Sequence, residues 1–186
     1  VPVPNRLPAK TDESSLHVVP EAPFLAIPDG ESDATQSLQS ALNAAGENGG
    51  GTVYLPQGLY RITSHLTVPP GVELRGANDS MPRAGSSRTI LVVDIPEDIG
   101  KAENPPLISL QSSSTVGGSG VTGLTFWYPH QDYTDIKAYP WTTRSLGPGC
   151  WVKRVYLGNT YNAIDFATHD NDQHLLSRVN GSALNI

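Results

Sequence analysis

The apolar positions fall in short alternating runs set close together. Val53 to Leu55, Tyr60 to Ile62, Leu66 to Val68 and Val72 to Leu74 are separated by Pro56-Gln57-Gly58, Thr63-Ser64-His65 and Pro69-Pro70-Gly71. Breaks of that composition cannot continue a strand, so the pattern predicts strands of about three residues with corners between them. Within each run successive side chains point to opposite sides: Val53 and Leu55 to one, Tyr54 to the other. Strands this short cannot form a sandwich face, but they can be the sides of a coil that winds on itself.

One stretch has helical period instead. After Pro28-Asp29-Gly30, Leu38, Ala41, Leu42 and Ala45 recur at i, i+3, i+4 and i+7, with Ser32 or Asp33 as the expected N-cap and Gly46 as the expected C-cap. A helix over about 33–45 with a single apolar stripe must lie on something. The open end of the coil is the nearest such surface, so the helix is expected to be its cap.

Strands are further expected at Phe24 to Ile27, Thr89 to Asp94, Leu107 to Leu110 and Val121 to Tyr128. Val121-x-x-Leu124-x-Phe126, Val152-x-x-Val155-x-Leu157 and Leu176-x-x-Val179-x-Gly181 share one template, and the last two copies are 24 residues apart. That period predicts one coil per repeat. A second strand follows each of the last two, Ala163 to Phe166 and Ala183 to Ile186. With Ile164, Phe166, Leu184 and Ile186 inward, Asp165 and Asn185 would stack on the outer face.

Gly49-Gly50-Gly51-Thr52-Val53-Tyr54-Leu55-Pro56-x-Gly58-x-Tyr60-x-Ile62, followed by Leu66-x-Val68-Pro69-x-Gly71-Val72-x-Leu74-x-Gly76, resembles the opening of the pectate lyase-like superfamily. The resemblance is closest over 29–76. It implies an all-β fold, a single-stranded right-handed parallel β-helix (a solenoid) with an N-terminal capping helix. It also implies a secreted or periplasmic protein that acts on, or binds, polysaccharide along its outer face. Two functions follow: a glycoside hydrolase or polysaccharide lyase, expected to be monomeric, or a non-catalytic, trimeric tailspike-like or adhesin glycan binder. Residues 1–28, rich in proline and without sustained period, are expected to be an extended lead-in, and 29–186 the N-terminal part of the β-helix. Because the last expected strand runs to Ile186 and such folds have further coils, the chain is expected to be truncated at its C-terminus. The Asn-Thr-Asp strand of polygalacturonases is not repeated, since Asn159-Thr160 is followed by Tyr161.

Composition narrows the partners. A formal charge of −6, with no block of Lys or Arg, argues against nucleic acid and anionic membrane surfaces. No apolar run approaches the roughly 20 residues of a membrane span. The single Cys150 permits no internal disulfide or dithiol redox motif and is expected to be a small buried apolar side chain.

Candidate chemistry is concentrated near the end. Asp165, His169, Asp170, Asp172 and His174 lie within ten residues. A glycosidase needs two carboxyls, which Asp165 with Asp170 or Asp172 can supply. A lyase needs a base and a cation against the uronate carboxylate, for which Lys153, Arg154 and His169 are near. Asp165, His169 and Asp170 are the expected catalytic residues; the competing reading is a solvated turn between coils. The segment 129–141 adds Tyr139 and Trp141 to Trp127 and Tyr128. These aromatics, with Arg154, are expected to line a saccharide groove; the alternative is that Tyr139 and Trp141 fold back as a small satellite core covering the coil. No cofactor is expected. Zinc ligand spacing is absent, and Asp170-Asn171-Asp172 offers oxygens to Ca²⁺ without the Gly and distal Glu of a calcium loop.

Overall fold

The structure is a computed structural model that describes residues 16–18, 24–78, 88–96, 104–169 and 172–184, the first three as backbone. The chain winds coil upon coil. The first coil holds β1 (Leu16–Val18) and β2 (Asp29–Asp33), then α1 (Thr35–Glu47). The second holds β3 (Gly51–Leu55), β4 (Gly58–Ile62) and β5 (Leu66–Val68), and the third β6 (Val72–Gly76), β7 (Thr89–Val93) and β8 (Ile108–Leu110). A small hairpin, β9 (Ser112–Ser113) and β10 (Gly117–Gly118), precedes the fourth coil of β11 (Gly120–Thr122), β12 (Thr125–Trp127) and β13 (Trp141–Ser145). The fifth holds β14 (Trp151–Lys153), β15 (Tyr156–Thr160) and β16 (Asn162–Asp165), and the last β17 (Leu175–Ser177) and β18 (Asn180–Ala183).

Stacked strands form three parallel sheets. Sheet A is β1-β3-β6-β11-β14-β17, sheet B is β2-β4-β7-β12-β15-β18, and sheet C is β5-β8-β13-β16. The result is a right-handed parallel β-helix, the hand that parallel crossovers take. The repeat read from the sequence sets the register: Val121 pairs with Val152 and Val152 with Leu176, while Phe126 pairs with Leu157 and Leu157 with Gly181. The corner between sheets A and B repeats too. Gly123, Arg154 and Arg178 occupy it with φ of 68°, 50° and 55°, a left-handed turn of the backbone that costs a non-glycine residue about 1–2 kcal/mol.

The interior is a stack of inward rows, with Val53, Val72, Leu74, Tyr60, Leu91, Phe126, Leu66, Ile108 and Val152 all fully buried. The helix closes this stack. It contacts β3, β5 and β6, and Leu38, Ala41, Leu42 and Ala45 are buried against the second coil. Gln39 completes the edge of sheet C as another strand would: its amide donates to Thr67 C=O at 3.0 Å and accepts from Thr67 N–H at 2.9 Å. Buried edge groups left without partners would cost free energy, so the side chain substitutes for a missing rung.

Four details differ from the sequence expectation. The helix begins at Thr35, because Asp33 is the last residue of β2; its carboxylate still accepts from Thr35 N–H at 2.9 Å. Gly46 lies inside the helix, where a Cβ would come within 2.7 Å of Pro69, and its role is close packing rather than capping. Phe24 to Ile27 is not a strand; the strand is β2, across the expected break at Pro28-Asp29-Gly30. The lead-in supplies β1, paired in parallel with β3. Asn185 and Ile186 of the expected second strand lie outside the described residues, as does Asp170.

Candidate functional site

The outer face of sheet C gathers the polar groups closest to the expected chemistry. Its outward row is Thr67, Ser109, Arg144 and Asp165, each paired with the next across successive coils. Arg144 and Asp165 are outward yet 3% and 5% exposed. Arg144 Nε donates to Asp165 Oδ2 at 2.8 Å and its Nη1 to Asn104 C=O at 2.7 Å, while the buried Nη2 has no hydrogen-bond partner among the described residues.

Asp165 also organises the turn that follows it. Its Oδ1 accepts from Ala167 N–H and Thr168 N–H, both at 3.0 Å, and its Oδ2 from the Thr168 hydroxyl at 2.5 Å. Burial alone would raise its pKa. The Thr168 hydroxyl, the Ala167 N–H, Arg144 and the Thr168 N–H outweigh it and hold the carboxyl below the usual range. Asp165 is therefore a fixed anion with no proton to give at neutral pH, so a general-acid role does not suit it. It can fix Arg144 and hold the turn that leads to the exposed His169.

Below the turn, His174 bridges two coils. The Cys150 N–H donates to its Nδ1 at 3.2 Å, which places the ring proton on Nε2, 3.2 Å from Ser145 Oγ. Its ring lies 4.4 Å from that of Phe166, and Cys150 is buried beside it with a thiol pKa raised by that burial. These contacts join β13, β14 and β17 in packing.

The aromatics proposed for one saccharide wall are divided by the structure. Tyr128 and Tyr139 are buried, with ring centroids 5.0 Å apart, and Tyr128 O–H meets Thr142 Oγ1 at 2.8 Å. They belong to the main hydrophobic core and not to a separate satellite, and the loop between them is tied by Gln131, which accepts from Lys137 N–H and donates to Lys137 C=O. Trp141 is half-buried at the start of β13 on sheet C, and Trp127 is 42% exposed on sheet B. Arg154 stands at the A–B corner, away from sheet C.

Sequence reasoning did not find Arg144 or Glu73. Arg144 lies in Trp141-Thr142-Thr143-Arg144-Ser145, a β-branched run ended by Gly147-Pro148-Gly149, which is a strand signal. Glu73 faces outward from β6 and is fully buried, ion-paired with Arg75 and accepting from Thr122 Oγ1 at 2.6 Å. Alternation showed its direction but not the side chains that cover it. Among the described residues no three His, Cys, Asp or Glu side chains converge on a metal position, and no helix is long and apolar enough to cross a membrane.

Comparison with known proteins places this geometry in a family. The model of the family described as rhamnogalacturonase A/epimerase, pectate lyase-like, matches residues 24–123. Alginate lyase 7 of Azotobacter vinelandii is 38% identical over 63 residues, 34% of this chain and 7% of that protein. The mannuronan C5-epimerase AlgE4 of the same organism is 46% identical over 61 residues, 29% of this chain and 11% of that protein. The chain thus spans a small fraction of these relatives. The A-module of AlgE4 superposes with a TM-score of 0.61 at 20% identity, over 88% of this chain and 50% of the module. ORF18 of Geobacillus virus E2 superposes with a TM-score of 0.50 at 20% identity, over 94% of this chain and 40% of its own. At such identities the likeness is one of fold.

Proposed function

Because the chain belongs to the rhamnogalacturonase A/epimerase, pectate lyase-like family, we propose that it is a polysaccharide-active β-helix whose chemistry takes place on the outer face of sheet C. The observation that carries this reading is the outward polar row of sheet C, where the buried Arg144–Asp165 pair fixes the turn that leads to the exposed His169. A lyase withdraws the proton next to a uronate carboxylate, so it must stabilise the charge that develops there and supply a base. His169, exposed, is the proposed base, and the buried Arg144–Asp165 pair is the positioning element that holds the turn leading to it. The names of the relatives, alginate lyase and mannuronan epimerase, support a uronate polymer and favour this chemistry over glycoside hydrolysis. Asp170, next to His169, remains the proposed second carboxylate. Proposed with it are secretion or a periplasmic location, and action as a monomer.

A panel of polysaccharides including alginate, polymannuronate and polygalacturonate, followed by absorbance of unsaturated uronate ends, tests the reaction. The expected result is turnover on at least one uronate polymer that falls about 100-fold or more in His169→Ala. Equal rates in the variant would remove His169 from the site. A second reading, glycan binding without cleavage by a tailspike-like trimer, is favoured by the open groove on sheet B. Binding without products, together with a trimeric mass in solution, would establish it.

A further inference from the structure

Sheet B carries a groove on its outer face, clear of the sheet C site. It is about 410 Å³, lined by Leu59, Ile90 and Val92, with Trp127 at one end and the segment Asp29 to Glu31 at the other. The register explains the shape. Leu59 pairs with Ile90, and Val92 with Trp127, so the lining residues come from consecutive coils and the groove runs parallel to the solenoid axis. Leu59 and Trp127 are 41% and 42% exposed with the half-buried Ile90 and Val92 between them, so the floor is a contiguous apolar strip.

The rim is polar and ordered. Asp29 Oδ1 accepts from Glu31 N–H and Ser32 N–H, both at 2.8 Å, and its Oδ2 accepts from the Ser32 hydroxyl at 2.7 Å. The Ser32 hydroxyl and these N–H groups depress the Asp29 pKa, so the carboxylate is charged at neutral pH. Glu31 beside it is exposed. Arg61 donates through Nη1 to Glu31 C=O at 3.4 Å, and through Nε at 2.8 Å and Nη2 at 2.6 Å to Asp94, whose Oδ1 lies 3.3 Å from His130 Nε2. Asp94 offsets the charge of Arg61, which leaves the carboxylates of Asp29 and Glu31 as the excess charge of the rim. The rim therefore has negative charge and hydrogen-bonding edges, while the floor is aliphatic with an indole at its end.

We propose that this groove holds an uncharged stretch of glycan, with one pyranose ring against Trp127. The proposal rests on the polysaccharide reading and adds a second place of contact, on a different face from the chemistry. A pyranose offers an apolar C–H surface to the indole and aliphatic floor, and hydroxyls to the carboxylates at the rim. A uronate would bring its carboxylate against Asp29 and Glu31, so the groove selects neutral sugars. Acidic polysaccharides that also carry neutral sugars, in the chain or as branches, would engage both faces.

Calorimetric titration of the whole chain with neutral trisaccharides of glucose, mannose and galactose, and with trimannuronate and trigalacturonate at low salt, tests it. At least one neutral trisaccharide is expected to bind at least about tenfold tighter than either uronate. Trp127→Ala should weaken that binding about tenfold, as loss of one aromatic stack implies, and Trp127→Phe should restore most of it. Glu31→Gln should narrow the gap between neutral and uronate ligands. No neutral binding, a uronate preference at the Trp127 site, or unchanged affinity in Trp127→Ala overturns the proposal. So does self-association that Trp127→Ala abolishes, since the groove would then be covered by a second copy. Loss of the groove result with uronate turnover intact refutes the groove alone; absence of turnover with Trp127-dependent sugar binding intact refutes the sheet C chemistry alone.

Discussion

Sheets A and B each lay a tryptophan across a glycine of the adjoining coil, and the two indoles end in opposite surroundings. On sheet A, Trp151 pairs with Gly120, where a Cβ would stand 2.4 Å from the ring, and the residue is 7% exposed. Lys153 lies over the indole, its Nζ 5.3 Å from the ring centroid, and the buried Glu73 pairs with Gly120 from the other side. On sheet B, Trp127 pairs with Gly158, where a Cβ would stand 3.0 Å from the ring, but the residue is 42% exposed. The glycine makes room for the indole in both places. What differs is the neighbouring row: sheet A sets Arg75, Thr122 and Lys153 beside Trp151, whereas sheet B sets Ile90, Thr125 and Tyr156 beside Trp127 and leaves its indole partly open. Closure has its own electrostatic cost. Burial pushes the Lys153 pKa down, with Glu73 opposing and Arg154 and Arg75 adding to the depression.

The largest test of that contrast is truncation of the two indoles. Trp151→Ala is expected to destabilise the chain by about 3–5 kcal/mol, the cost of emptying a buried aromatic site. Trp127→Ala should cost about 1 kcal/mol or less, since nearly half of the residue already faces water. Denaturant midpoints read both. Similar losses would mean that sheet B is as closed as sheet A.

Sheet C sharpens the contrast with a third outcome, an outward face closed by a single ion pair. Asp165→Asn leaves Arg144 buried without its anion and should cost about 3 kcal/mol at neutral pH. The folded pKa of Asp165 lies below its unfolded value, so its stabilisation is full above the unfolded carboxyl pKa of about 3.9 and is lost as pH falls through the folded one. The difference between wild type and variant should accordingly shrink below about pH 4. A difference constant from pH 7 to pH 3 would show that the charge contributes nothing.

How much of this was legible in the sequence follows from what each feature depends on. The coil, its 24-residue register and the helix stripe rest on local period, and the pairs Val121–Val152–Leu176 and Phe126–Leu157–Gly181 formed where the template put them. Alternation also placed Asp165 outward. It could not show that Arg144, 21 residues earlier, would lie one coil below and bury it, because the coil between them carries a loop of its own. Tyr128 and Trp127 show the same limit. Adjacent in sequence, they point to opposite sides of β12's end, one into the core and one into the groove, and only the returning Tyr139 and Thr142 settle which aromatic is covered. The split of the expected aromatic wall is thus a consequence of period two, while the company each ring keeps is tertiary.

The finest test exchanges the glycines for alanine. At Gly120 the added methyl would meet Trp151 Cδ2, Cε2 and Cγ at 2.4–2.5 Å, and the indole is enclosed by Lys153 and the Glu73 row. Neither ring nor backbone has space to yield, so Gly120→Ala should cost about 1–3 kcal/mol, as overpacking does. At Gly158 the methyl would meet Trp127 Cε3 at 3.0 Å and Phe126 C=O at 3.2 Å, contacts that a shift of a few tenths of an ångström relieves. Because Trp127 is open to solvent it can make that shift, and Gly158→Ala should cost under about 1 kcal/mol. The displaced ring would also move within the groove, so the variant should lose affinity for the neutral trisaccharide while keeping its fold. If Gly158→Ala instead unfolds the chain as readily as Gly120→Ala, the Trp127 ring is held as firmly as Trp151, and its exposure is a property of the surface rather than room for a ligand.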